Sequence, residues 1–250
     1  MKLKASDFIS MKGKKQIPML TGYNYPIARS IEKAGIPIIL VGDTLAMVEM
    51  GFESTRDITI ENMCYHVSAV SKGATKTHII GDLPYKSYET PKDALKNAKA
   101  LLDSGANSVK LEGASIDVIK HLVQSNIDVV GHTGLTPQTA KNFKQVGQTE
   151  DERKRVLLEA QQIADAGVFL LVLEHIPSDL AKEITKMVNI PTIGIGAGAD
   201  CDGQVLVTND LLGIGEKWPP FSKQYVKLNE VIEKAVVSYK NDVENGIFPT

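Results

Sequence analysis

Short apolar runs alternate with longer segments whose apolar positions recur at helical spacing, almost without interruption along the chain. The runs predict strands at residues 16–22 (QIPMLTG), 37–43 (PIILVGD), 77–82 (THIIGD), 107–112 (NSVKLE), 128–132 (DVVGH), 169–174 (FLLVLE) and 191–196 (PTIGIG), with a weaker eighth at 204–208 (QVLVT). Continuous apolar strands separated by amphipathic helices are what parallel βαβ units need, because both faces of each strand are covered. Eight such units predict an α/β fold of the TIM type, a (β/α)8 barrel. An open doubly wound sheet uses the same units but builds its binding crevice with fewer strands.

Helix punctuation agrees with that rhythm. Thr90 reads as an N-cap with Pro91 at the first helical position, Ser178 as an N-cap before DLAKEITKMV, and Gly35, Gly105 and Gly167 as left-handed caps closing helices. Each of those glycines opens an apolar stretch that ends on an acid: Gly35 leads to Asp43, Gly105 to Glu112 and Gly167 to Glu174. Asp82 ends the third strand in the same way. The carboxyl ends of parallel barrel strands form one face, and active sites of barrel enzymes are built there. Four acids delivered to that face predict an anionic, metal-attracting site.

Length and composition fit one domain. The chain has 250 residues, 43% of them hydrophobic, against roughly 250 for a typical barrel, so residues 1–250 read as a single barrel with an additional C-terminal helix. That helix follows Pro219-Pro220 and carries Val226, Val231, Ile232, Ala235, Val236 and Tyr239, a stripe that needs either the barrel or another subunit as partner. A net charge of −2 gives no basic surface for nucleic acid. Cys64 and Cys201 form no C-x-x-C pair, which points away from zinc and disulfides and towards a reducing cytoplasm. The basic N-terminal segment has no apolar core and no run is long enough to span a bilayer, so neither export nor a membrane is expected.

Two long connections, 43–58 and 133–150, are where binding and lid functions are expected. GIGAG (194–198) lacks the G-x-G-x-x-G pattern of a dinucleotide site and reads as close backbone approach. A lone strand-end Asp43 or Asp82 can instead cap the next helix. Lys110 and Glu112 share a strand face, with a surface ion pair as the plain alternative. His132 is either a polar pocket residue or a hydrogen-bonded structural one and stays outside the catalytic set. His66, His78, His121 and His175 show no ligand spacing and read as packing or surface residues.

The runs MLTGYNYPIA (19–28), ILVGDTLAM (39–47), GDLPY (81–85), GANSVKLEG (105–113), GHTGLTPQ (131–138), LLVLEHIP (170–177) and IPTIGIGAG (190–198) follow one another as in the ketopantoate hydroxymethyltransferase family. The chain resembles that family over about its whole length. The resemblance implies a barrel that uses Mg²⁺ or another divalent metal. It also implies transfer of a one-carbon unit from methylene-tetrahydrofolate, or a related pterin carrier, to 3-methyl-2-oxobutanoate, giving 2-dehydropantoate in pantothenate and coenzyme A biosynthesis. It implies Asp43 and Asp82 as metal ligands with Glu112 completing the metal environment. Asp43, Thr44, Asp82 and Lys110 would contact the 2-oxo acid, and Glu174 would be the catalytic base. A homo-oligomer of decamer size is implied as well.

These residue types suit the chemistry. A 2-oxo acid chelates a metal through its carboxylate and carbonyl oxygens, and the metal polarises that carbonyl as a Lewis acid. A carboxylate over C3 then removes the acidified proton, while a lysine supplies a point charge without Schiff-base formation. Thr44 stands where the family has serine, Ala46 where it has glycine, Asn24 where it has aspartate and Phe52 where it has histidine. STRDIT (54–59) and the fifth loop (141–152) also depart from the family pattern. These differences bear on the carrier and on lid closure. Two other readings are a Mg-dependent 2-oxo-acid lyase or mutase of the isocitrate-lyase and phosphoenolpyruvate-mutase type, and a non-catalytic oxo-acid or pterin binding barrel. The first lacks its usual K-K-C-G-H type motif here, and four intact acids argue against the second.

Overall fold

The computed structural model describes residues 2–140 and 142–249; Met1, Lys141 and Thr250 lie outside the described residues. It falls into two compact units, Met1–Val205 and Leu206–Thr250. Every predicted strand is present: β1 Ile17–Thr21, β2 Ile38–Val41, β3 His78–Asp82, β4 Ser108–Lys110, β5 Val129–Gly134, β6 Leu170–Glu174, β7 Thr192–Ile195 and β8 Gly203–Leu206. They close into a barrel in sequence order, with parallel pairing between neighbours.

The apolar runs divide by parity into two cores. Ile38, Leu40, Ile80, Val130, Leu170 and Val172 join one cluster, while Ile39, Val41, Ile79, Val129, Leu171 and Leu173 join another with residues of the surrounding helices. Side chains alternate along a strand, so the first set fills the barrel and the second packs under the helices. At the amino end of the strands the helix Ala5–Ser10 buries Phe8 completely, with its ring 5.3 Å from His78 and 6.3 Å from Phe169. Closure between β8 and β1 needs a glycine, because a Cβ on Gly203 would meet Ile17 O at 2.2 Å.

Thr90 caps the helix Pro91–Asp103 by accepting from the Asp93 N–H, as expected. Gly35, Gly105 and Gly167 have φ of 78°, 110° and 100°, the left-handed region a helix end uses. Ser178 is a correction: Pro177 holds the cap position of Ser178–Met187 and no side chain makes a cap hydrogen bond. Pro177, at ψ 141°, already has the extended backbone of a cap, so the helix starts one residue earlier than the serine suggested.

In the second unit a short helix, Thr208–Leu212, precedes Leu228–Glu244, none of whose residues is buried. Val231, Ile232, Val236 and Tyr239 are exposed along it. Both cysteines are free thiols. Among the described residues no helix is long and apolar enough to cross a membrane.

Candidate active site

Strand parity decides which polar side chains enter the barrel mouth. Continuing the inward series Ile80, Val130 and Val172 by two residues reaches Asp82, His132 and Glu174, while Lys110 and Glu112 flank the outward Leu111. Asp82, Lys110, Glu112 and His132 are all buried. Asp43 does not follow from parity. It lies beyond the last residue of β2, where the chain turns, and its backbone N–H donates to Asp82 Oδ2 at 3.1 Å.

Asp82 and Lys110 are register partners across β3 and β4, and Lys110 Nζ is 2.6 Å from Asp82 Oδ1. Glu112, one inward step further along, pairs with His132 instead: Nδ1 is 3.5 Å from Glu112 Oε1, and Nε2 is 3.3 Å from Glu174 Oε2. Those distances are those of charge pairs rather than well-aligned hydrogen bonds. The imidazole therefore bridges two acids that stand on different strands. Glu174 is the most open of the four acids, with its side chain 19% exposed.

The electrostatics follow from this crowding. Burial raises the Asp43 carboxyl well above the ordinary aspartate range, and the charges of Asp82 and Glu112 raise it further against Lys110 and Gln138. Asp82 is also raised by burial, with Lys110 opposing. Burial disfavours the Lys110 ammonium, but Asp82, Glu112 and Asp43 outweigh it and hold the lysine above its usual value. His132 loses by burial and gains more from Glu112 and Glu174, so its pKa is pushed up to about 9. Glu112 is disfavoured by burial yet lowered overall by His132, Lys110 and the Gln138 N–H.

Among the described residues four carboxyl groups thus gather around Lys110 and His132 in a largely buried, oxygen-lined space. That combination fits a hard divalent cation. Among the described residues no three or more His, Cys, Asp or Glu side chains converge as a ready metal cage. Magnesium sites often use only one or two carboxylates, with water and substrate completing the shell, so the donor set fits that ion.

The simpler readings of these residues fall away. Asp43 does not cap the following helix Leu45–Val48, whose cap position is Thr44; its Oδ2 accepts from Gln138 Nε2 at 2.8 Å. Lys110 forms no surface pair with Glu112 but a buried one with Asp82. Thr44 is half-buried beside Asp43. His132, kept outside the catalytic set by sequence reasoning, stands between two of the acids.

Gln138 was missed altogether. No periodicity marks a glutamine in a long loop, and its place in GHTGLTPQ was the only signal. That loop is folded along the end of β6: Leu135 N–H donates to Glu174 O at 2.8 Å and Val146 N–H to His175 O at 3.0 Å. Gly134 permits this close approach, at φ 99°, where a Cβ would be 2.3 Å from Glu174 O. Across the mouth Arg56 donates to Gln138 O at 2.8 Å and Ala140 O at 2.6 Å, joining the two long loops.

Comparison with known proteins places the chain among relatives. The family model described as ketopantoate hydroxymethyltransferase matches residues 2–250. A protein of Caldivirga maquilingensis named 3-methyl-2-oxobutanoate hydroxymethyltransferase is 45% identical over 249 residues, covering 97% of this chain and 94% of its own length. One of the same name from Staphylothermus marinus is 46% identical, covering 99% and 94%. A solved structure of phosphonopyruvate hydrolase in complex with oxalate and Mg²⁺ superposes with a TM-score of 0.66, covering 98% of this chain and 88% of that one, at 9% identity. At that identity the likeness concerns the fold alone. Matched along its whole described length by the family model and by these relatives, the chain belongs to the ketopantoate hydroxymethyltransferase family.

Proposed function

We propose that the chain transfers a hydroxymethyl group from methylene-tetrahydrofolate, or a related pterin carrier, to 3-methyl-2-oxobutanoate, giving 2-dehydropantoate for pantothenate and coenzyme A biosynthesis. The observation that carries this reading is the near full-length identity of 45% and 46% to relatives of that name. The buried acids around Lys110 support it independently. In this reading Asp43 and Asp82 hold Mg²⁺ or another divalent cation, with Glu112 completing its surroundings, and the gathering of buried carboxyl oxygens supports the assignment. The bound cation supplies Lewis-acid polarisation of the substrate's oxo group.

The chain's own side chains do the rest. Thr44 and Asp43 border the oxo acid, and Lys110 faces its carboxylate as a fixed positive charge. Because its acidic neighbours hold Lys110 in the ammonium form, it lacks the free amine that a Schiff base requires. Glu174, the most open acid, takes the proton from C3 of the oxo acid. His132, 3.3 Å from Glu174 Oε2, keeps that carboxylate in one orientation. C3 then bonds to the carrier's methylene carbon, water provides the hydroxyl oxygen, and the tetrahydropterin leaves.

A lyase or mutase activity draws only on fold likeness at 11–14% identity, which carries no activity. We also read residues 1–250 as one barrel domain with an added helix, working in the cytoplasm as a homo-oligomer of decamer size. The exposed apolar residues of Leu228–Glu244 support the oligomer.

The test is proton exchange at C3 of 3-methyl-2-oxobutanoate in D₂O, followed by NMR with and without Mg²⁺ and carrier. Exchange that needs Mg²⁺, with 2-dehydropantoate formed only when carrier is added, is the expected result. Absence of product with every pterin tried overturns the transferase.

A further inference from the structure

We infer that Gln138 is a positioning residue, whose carboxamide commits one oxygen of Asp43 and leaves the other for a divalent cation. The inference rests on the reading of Asp43 as a metal ligand and adds to it the group that sets its geometry.

Gln138 is fully buried and every polar atom it has is engaged. Nε2 donates to Asp43 Oδ2 at 2.8 Å and to Leu83 O at 3.1 Å. Oε1 accepts from the Tyr88 hydroxyl at 2.5 Å, the backbone N–H donates to Glu112 Oε2 at 3.1 Å, and the backbone oxygen accepts from Arg56. One loop residue therefore touches the segments after β2, β3 and β4 at once.

The orientation of the amide follows from its neighbours. Leu83 O can only accept, so the NH₂ must face it and the Asp43 Oδ2 beside it, and the carbonyl must face the Tyr88 hydroxyl that donates to it. Turning the amide over would set its oxygen against a carboxylate and a carbonyl in a buried site. Gln138 takes Oδ2 as its acceptor, and Oδ1 is then the oxygen of Asp43 that a cation would use. A carboxylate held by one oxygen cannot swing between one-point and two-point ligation. Partners of this kind around metal ligands are typically worth about 10- to 100-fold in metal affinity or activity.

A brace for the loop alone would put the same bonds to another use, and Arg56 separates the two. It ties the same loop through the carbonyl oxygens of Gln138 and Ala140 and touches no acid of the site. The experiment is titration of the full chain with Mn²⁺, an ion of similar oxygen preference, followed by electron paramagnetic resonance of the free ion, with thermal melting as the check on folding. Gln138→Met is expected to weaken Mn²⁺ binding by about 10-fold or more while Arg56→Ala stays within about two-fold of the unaltered chain. Tyr88→Phe keeps the ring and removes only the donor that orients the amide, so it should weaken Mn²⁺ binding in the same direction, and it decides the matter if Gln138→Met does not fold. Unchanged affinity in a folded Gln138→Met, or in Tyr88→Phe where that variant decides, overturns the inference. A loss in Arg56→Ala as large as that in Gln138→Met overturns it too, since loop bracing would then account for both. If the unaltered chain binds no Mn²⁺, the metal reading of Asp43 fails first and is recognised by that result alone.

Discussion

Lys110 Nζ lies 2.6 Å from Asp82 Oδ1, between residues that are register partners on adjacent parallel strands and nearly inaccessible to solvent. Two opposite charges brought together this way satisfy each other, yet Asp43, Glu112 and Glu174 remain around them, with His132 as the further cation among the described residues. The pair thus makes the lysine permanent as a charge without neutralising the site.

That relationship sets the first expectation. Borohydride reduction in the presence of 3-methyl-2-oxobutanoate should leave Lys110 unmodified by mass spectrometry, because the ammonium form is held above its usual pKa by the acids around it. A mass increase on Lys110 would move the protein to the Schiff-base aldolases. Lys110→Met should destabilise the fold by about 3–5 kcal/mol, since it leaves Asp82 buried and unpaired; denaturant midpoints measure this.

Asp43→Ala and Asp82→Ala should each abolish Mg²⁺-dependent binding of the oxo acid while the barrel still melts cooperatively. Calorimetric titration checks the binding. Normal metal-dependent affinity in both variants would falsify the ligand assignment.

Glu174→Gln keeps the size of the side chain and removes the proton acceptor. Substrate binding should persist, and both turnover and C3 exchange in D₂O should fall by about 10²-fold or more. Exchange at the unaltered rate would assign the base to another group.

At the opposite end of the barrel, burial pushes His78 down to about 4 from the 6.5 of a free imidazole. Between those values the unfolded chain carries the extra proton, so the stability associated with a neutral His78 is complete above about pH 6.5 and is lost as pH falls towards 4. The loss is on the order of 3 kcal/mol. Because other site groups titrate as well, the measurement is the difference in urea midpoints between the unaltered chain and His78→Gln across that window. A constant difference would remove His78 from the acid transition.

Deleting residues from Phe221 onward removes the helix with Val231, Ile232, Val236 and Tyr239 exposed. If that side is an interface between subunits, light scattering should report a smaller assembly. An unchanged mass per assembly would show that the oligomer, if formed, is built elsewhere.

The apolar periodicity determined the eight strands, their parallel sense and the face on which the acids emerge, because period and strand length are local properties that burial on both sides makes nearly obligatory. Glycines 35, 105 and 167 were legible for the same reason: a left-handed helix end is a demand of the backbone itself. Ser178 misled because Pro177, its neighbour, already meets the geometric need of a cap. Asp82, Lys110, Glu112 and Glu174 could be read from their places at strand ends. What surrounds each of them could not. Lys110 takes Asp82 across the sheet rather than Glu112 on its own strand, and His132 bridges Glu112 and Glu174 from different strands. Gln138 reaches Asp43 from 95 residues away along the chain. Such partners depend on barrel register and on how a long loop folds back over the mouth, and no local pattern encodes a distance between segments so far apart. Only tertiary structure decides which charges meet, which is why the acids and Lys110 were visible in the sequence while the pairing of Lys110 with Asp82, the bridge made by His132 and the reach of Gln138 were not.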